Sequence, residues 1–272
     1  IKYYIIVLKN YGVTIKAGLF DTMIAHYLLQ PDLRHNMDFL AEIYLNYKTI
    51  HIEELIGPKG KNQKNMKDVP LEIICPYAAE DADITLQLKY ILEKEISDNG
   101  LEYLAYEVEM PLIKVLADME YHGVRIDTVS LSKSTVEITQ ELERLEKEIQ
   151  EFAGFEFNVN SPKQLGEILF EKLEVDGKPK KTKSGQYSTS EETLTKLKSK
   201  HPVIDKILTQ RGLKKLLNTY IEALPELINP KTGNIHTSFN QAITSTGRLS
   251  SSNPNLQNIP VRDEMGREIR KA

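Results

Sequence analysis

Apolar residues recur at helical spacing through most of the chain, which predicts a mostly α fold with a minor β component, of the α+β class. Residues 1–13 carry Ile1, Ile5 and Leu8 and are compatible with a short buried helix or a strand. Residues 23–30 form an apolar helix that Pro31 stops, and residues 37–47 an amphipathic one. The pattern then breaks over 57–70, where four lysines, two glycines and two prolines predict a mobile surface loop. It resumes over 77–96, with Pro76 at the helix start, where a missing N–H costs nothing. Residues 101–122 are helical around Pro111, which opens the main segment, and Gly123 closes it. Asp127 is placed to cap a helix over 128–153 with an apolar stripe of Leu131, Leu142, Leu145 and Ile149. Glu143 and Lys147 on that helix have ion-pair spacing.

Beyond residue 153 the segments shorten. Asn160, Ser161 and Pro162 open a helix to about Leu173, and Thr189 with Glu192 has capping-box spacing for the next. Pro202 starts a helix over 201–213 that continues through 214–227. A turn over 229–233 leads into a strand over 235–242.

Composition narrows the class. With 272 residues the chain is long enough for one or two domains, each with a core. A net charge of −4 argues against a uniformly basic surface, so any polyanion site must be local. The lone cysteine, Cys75, excludes an internal disulfide framework, fits a reducing cytoplasm and is expected to pack as a small apolar residue. No apolar run approaches 18 residues, so no membrane helix is predicted. An opening of IKYYIIVLKN, without Met, reads as the middle of a longer protein.

Two stretches carry local chemistry. Lys178, Lys180, Lys181 and Lys183 crowd into six residues beside Gly177 and Gly185, either a solvated loop or a set of phosphate contacts. Arg211, Lys214 and Lys215 form a second basic group, open to the same two readings. The second stretch is 235–270. There Thr244, Ser245, Thr246 and the serines 250–252 offer neutral hydroxyls, Arg248 a planar fork, and Asn255, Gln257 and Asn258 paired donors and acceptors. By composition alone it is a solvated Ser/Asn loop.

The order of residues adds more. TSTGRLSSSNPNLQNIPVR closely resembles the palm-entry motif of family A DNA polymerases, the bacterial DNA polymerase I family, and the match is ungapped from His236 to Ala272. The resemblance implies contacts to duplex primer–template DNA near the primer terminus by Thr244, Arg248, Asn255, Gln257 and Asn258. It makes the lysine run (Lys180, Lys181, Lys183) the tip of a helical thumb lying on the duplex backbone. EMPLIKVLADMEYHGVRID resembles the junction into that thumb.

LFDTMIAHYLLQPD and PYAAEDADITLQL resemble the second half of the 3′–5′ proofreading exonuclease domain of the same polymerases, a ribonuclease H-like fold. On that resemblance Tyr77 orients the attacking water and Asp81 is a metal ligand. Without it, Asp81 is equally a first-turn acid favouring the helix dipole. Tyr4 falls where the family carries another metal-binding aspartate, and a phenol with pKa near 10 is a poor ligand. The family's Asp-x-Glu pair would precede residue 1, so no metal binding is expected at this remnant.

The resemblance divides the chain into a truncated exonuclease-like part (1–99), a thumb (100–234) and the start of a palm (235–272). It implies a parent DNA-dependent DNA polymerase that extends a primer with two magnesium ions, in the bacterial cytoplasm at the nucleoid. This chain is then expected to contribute duplex contacts while lacking polymerase and exonuclease activity, with no tightly bound metal. A non-enzymatic DNA-binding fragment and a stand-alone exonuclease relative are the alternatives. Apolar faces bearing Ile24, Tyr27, Leu28, Ile84, Leu88 and Ile91, without the sheet they would cover, predict self-association through residues 1–99.

Overall fold

The computed structural model describes residues 1–261 and 264–272. It divides into two units that do not follow chain order: residues 1–123 with 236–257, and residues 124–235 with 258–272. Residues 236–257 thus fold with residues 1–123. Both units are mostly helical, and one two-stranded antiparallel sheet is the β component among the described residues.

The first unit contains α1 (Lys2–Lys9), α2 (Thr22–Leu29), α3 (Met37–Leu45), α4 (Ile52–Ile56), α5 (Leu71–Asp98), α6 (Met110–His122), β1 (Ser238–Asn240) and β2 (Ser250–Ser252). The opening residues are thus a helix, and none of its side chains is fully buried. Asp21 fixes the start of α2 by accepting from the N–H groups of Met23 and Ile24. Helix α5 presents Ile84, Leu88, Leu92 and Ile96 at intervals of four, and this seam is buried against Ile24 and Ala25 of α2 and Leu40 and Ala41 of α3. Each of these buried Ile and Leu side chains stabilises the unit by roughly 1.5–3 kcal/mol.

Three expectations are corrected here. Helix α5 begins at Leu71, six residues early, with Pro76 inside it. The proline ring leaves the Glu72 carbonyl without its intrahelical donor, which is tolerable because this stretch faces solvent. Cys75 is exposed, not packed, because it lies on the same outer face. The apolar faces of α2 and α5 are not orphaned: Ile24, Tyr27, Ile84 and Leu88 are buried within the chain, Leu28 and Ile91 partly so. These two helices pack against each other within the unit.

β1 is shorter than the expected strand, because Ile235 pairs instead with Val124 in the second unit. Phe239 faces Ser251 across the sheet. Its N–H donates to Glu120 Oε1 at 2.6 Å, and its carbonyl accepts from the Lys2 ammonium. Glu120 is buried and ion-paired with Lys2, so both charges are held by partners that compensate their lost hydration.

The second unit contains α7 (Thr128–Ala153), α8 (Pro162–Glu167), α9 (Glu191–Lys196), α10 (Pro202–Leu216), α11 (Ala223–Glu226) and α12 (Glu264–Lys271). Asp127 caps α7 as its spacing predicts, accepting from Val129 and Ser130, and Gly154 ends it at φ 76°. Helices α7 and α10 pack around Ile149, Val203, Ile204 and Ile207, with Leu165, Leu169 and Leu194 completing the core. The exposed face of α7 pairs Arg144 with Glu141 and Glu148 rather than Glu143 with Lys147. Glu148 also takes Lys206 of α10, a choice that local spacing does not reveal.

Candidate nucleic-acid interface

The lysine run is a hairpin. Ser188 N–H donates to the Lys180 carbonyl at 2.8 Å and Thr182 N–H to that of Gln186 at 2.7 Å, with Gly185 at φ 82° in the turn. Tyr187 seats the hairpin. Its ring packs 5.3 Å from that of Phe170, and its Cβ would lie 2.9 Å from a Cβ placed on Gly166. Glycine at 166 therefore lets the hairpin approach α8. Lys180, Lys181 and Lys183 are exposed, and the Lys181 ammonium lies 5.1 Å from the Tyr187 ring centre.

Arg211 braces the hairpin from the other side. Its guanidinium donates to the Thr189 carbonyl and, at 3.2 Å, to Thr189 Oγ1. Burial holds its pKa below the usual arginine value. Thr189 is drawn inward, and Ser190, one residue later, caps α9 by accepting from Thr193 N–H. This displaces the expected capping box by one residue. Lys214 is half-buried and Lys215 exposed, one turn further along α10.

Hairpin and helix enclose a groove of about 620 Å3. Thr182, Gln186, Ser188 and Ser190 line one wall; Arg211, Lys214, Lys215 and Asn218 line the other. No carboxylate is among its lining residues. In a chain of net charge −4, this groove concentrates cations and neutral donors.

In the first unit, Thr244 Oγ1 donates to the Arg248 carbonyl at 2.6 Å, closing a turn in which Gly247 has φ 74°. The Arg248 side chain is exposed. The next loop winds around Ser251, whose buried hydroxyl accepts from Leu256 and Gln257 N–H and donates to Asn255 Oδ1 at 3.1 Å. Asn255 Oδ1 also accepts from Gln257 N–H at 3.1 Å, so this amide shapes the loop, while the Gln257 side chain is exposed. Asn258 belongs to the second unit, where its carbonyl accepts from the Tyr220 hydroxyl at 2.7 Å. Sequence reasoning missed Tyr220, Tyr27 and Glu120, each of which organises these loops by a bond to distant backbone.

Tyr77 and Asp81 meet on one face of α5, as their spacing requires. Burial raises the pKa of both; the charge of Asp81 pushes the phenol up further, and the phenol's hydrogen bond partly offsets the rise at the carboxyl. Asp81 Oδ1 is buried without a hydrogen-bond partner. The nearby acids are committed elsewhere: Glu80 accepts from the Tyr47 hydroxyl and Ile50 N–H, and Asp38 from Thr49, with His51 alongside. Tyr4 is exposed and supplies no carboxylate. Among the described residues no three His, Cys, Asp or Glu are grouped to hold a metal. The residues present do not fit a two-metal centre, which needs several hard carboxylates.

Comparison with known proteins decides the lineage. A family model described as DNA polymerase family A matches residues 128–272, and one described as 3′–5′ exonuclease matches residues 2–97. The chain belongs to DNA polymerase family A. It is 45% identical to DNA polymerase I of Synechocystis sp. over 98% of its length, and 46% identical to that of Chloroflexus aurantiacus over 98%. It spans 27% and 29% of those two proteins. A solved structure, the POL domain of Pol1 from M. smegmatis in complex with DNA primer-template and dNTP, superposes with a TM-score of 0.79 at 32% identity. That match covers 100% of this chain and 44% of the other. Within family A, the matched segments contain both features built above: the cationic groove and the Arg248 turn lie in 128–272, and the Tyr77–Asp81 pair in 2–97.

Proposed function

We propose that this chain supplies duplex-DNA contacts to a DNA-dependent DNA polymerase. The observation that carries the reading is the carboxylate-free groove between the lysine hairpin and α10. Its chemistry suits a polyanion read by backbone: ammonium groups neutralise phosphates, while hydroxyls and amides bond phosphate and sugar oxygens without sequence preference. The exposed fork of Arg248, with Gln257 nearby in sequence, supports a second contact set suited to base-edge or sugar acceptors. Lys180, Lys181, Lys183, Lys214 and Lys215 serve as phosphate contacts; Arg211 acts by holding the hairpin.

Primer extension, with its divalent metals, is proposed for the whole protein. The exonuclease reading draws no support from Tyr77 and Asp81, whose acidic neighbours are already bonded. Salt dependence of duplex binding tests the proposal. Each phosphate contact contributes a slope of about −0.9 in log affinity against log salt. Replacing Lys180, Lys181 and Lys183 with Ala should flatten the slope by up to about three units, and Lys214 with Lys215 by up to about two. Slopes equal to that of the unmodified chain would overturn the reading.

A further inference from the structure

The turn that presents Arg248 is tied to the rest of its unit by two long-range hydrogen bonds that end on one atom. The Tyr27 hydroxyl donates to the Thr244 carbonyl at 2.7 Å and accepts from Gly247 N–H at 3.1 Å. It therefore joins the Thr244 carbonyl to the Gly247 N–H, across the same turn that the Thr244–Arg248 bond closes. The turn residues lie outside regular secondary structure, so this hydroxyl substitutes for a strand partner.

The hydroxyl is itself well placed. Tyr27 is 5% exposed, on a helix capped by Asp21, and its ring meets His35 edge-on at 5.6 Å between centroids. His35 in turn bonds the buried His26 at 2.8 Å. The anchor thus comes from the exonuclease-like region, while the turn it holds belongs to the polymerase-like one. Gly247 has open space where a Cβ would stand, so glycine is needed there for its positive φ alone.

We propose that Tyr27 is a positioning residue for Arg248. By fixing the turn, it holds the guanidinium in the orientation that engages duplex DNA, which gives the exonuclease-like region a role in DNA binding that needs neither metal nor carboxylate. The inference rests on the duplex-binding reading above.

A double-mutant cycle on the full chain tests it, using fluorescence anisotropy with a labelled primer–template duplex. Tyr27→Phe keeps the ring and removes the hydroxyl. It should weaken binding about three- to tenfold, the equivalent of one or two lost hydrogen bonds. The same change should cost nothing further in an Arg248→Ala background. Gly247→Ala, which strains the turn without touching Tyr27, should likewise weaken binding in the presence of Arg248 and not in its absence. Amide exchange at Gly247 should accelerate in Tyr27→Phe with the core helices unchanged. If the parent chain binds duplex but Tyr27→Phe binds equally well, or its effect adds fully to that of Arg248→Ala, the positioning role is overturned and the functional reading stands. If the parent chain fails to bind duplex at all, the functional reading falls and this proposal with it.

Discussion

His26 and His35 share a hydrogen bond between their Nδ1 atoms inside the core, ringed by Phe39, Tyr44 and Tyr27. In that bond one Nδ1 donates and the other accepts, so the two rings hold complementary tautomers. The remaining nitrogen of His26, Nε2, is buried with no partner. Burial first, and His35 second, lower the His26 pKa from 6.5 to about 4. The sign follows directly. The unfolded chain binds the proton that the folded chain refuses, so this contribution is complete above pH 6.5 and is lost as pH falls toward 4. It amounts to on the order of 3 kcal/mol, of which about 2 is gone by pH 5. Urea unfolding across this range should show the loss, and His26→Phe should reduce it. Arg211 supports a second expectation at this scale. Arg211→Lys cannot reproduce the two-donor grip on Thr189 and should destabilise the second unit by about 1–3 kcal/mol in thermal unfolding.

At the scale of elements, the legible features were those whose cause is local. Asp127 before α7, Ser161 before α8 and Gly123 after α6 act within a few residues of the helix ends they set, and each lies where its spacing indicates. The lysine segment was legible in charge but not in form, because the bonds that make it a hairpin are backbone ones and its seat is a glycine on another helix. Local spacing points Thr189 to a cap, because its partner, Arg211, lies 22 residues away. Local sequence shows Tyr27 only as an apolar helix residue, because Thr244 and Gly247 lie 217 and 220 residues away. Pro76 misled for a different reason: a proline inside an exposed helix costs less than the rule for helix starts assumes. The hairpin seat gives an element-scale test. Gly166→Ala pushes a methyl against Tyr187 Cβ, which backbone movement must relieve, so the hairpin should loosen. Faster amide exchange at Thr182 and Ser188, with weaker duplex binding, is the expected outcome; unchanged exchange would show that α8 yields instead.

For the whole molecule, the burial of Ile24, Tyr27, Ile84 and Leu88 inside the first unit changes the expected behaviour in solution. With those faces covered by each other, sedimentation at tens of micromolar should give a monomer, with α5 amides near Leu88 among the slowest to exchange. A concentration-dependent dimer lost on polar substitution in α2 would contradict the packing described here. The joining of residues 236–257 to 1–123 also has a consequence for engineering. Deleting the exonuclease-like region would strip the support from the Arg248 turn. The Lys2–Glu120 pair acts on a different boundary. By occupying the outward N–H and carbonyl of Phe239, the two side chains take the hydrogen-bonding positions through which a further strand would pair with β1. That rim is closed to intruding peptide segments, so growth of the ribbon is directed to its β2 flank.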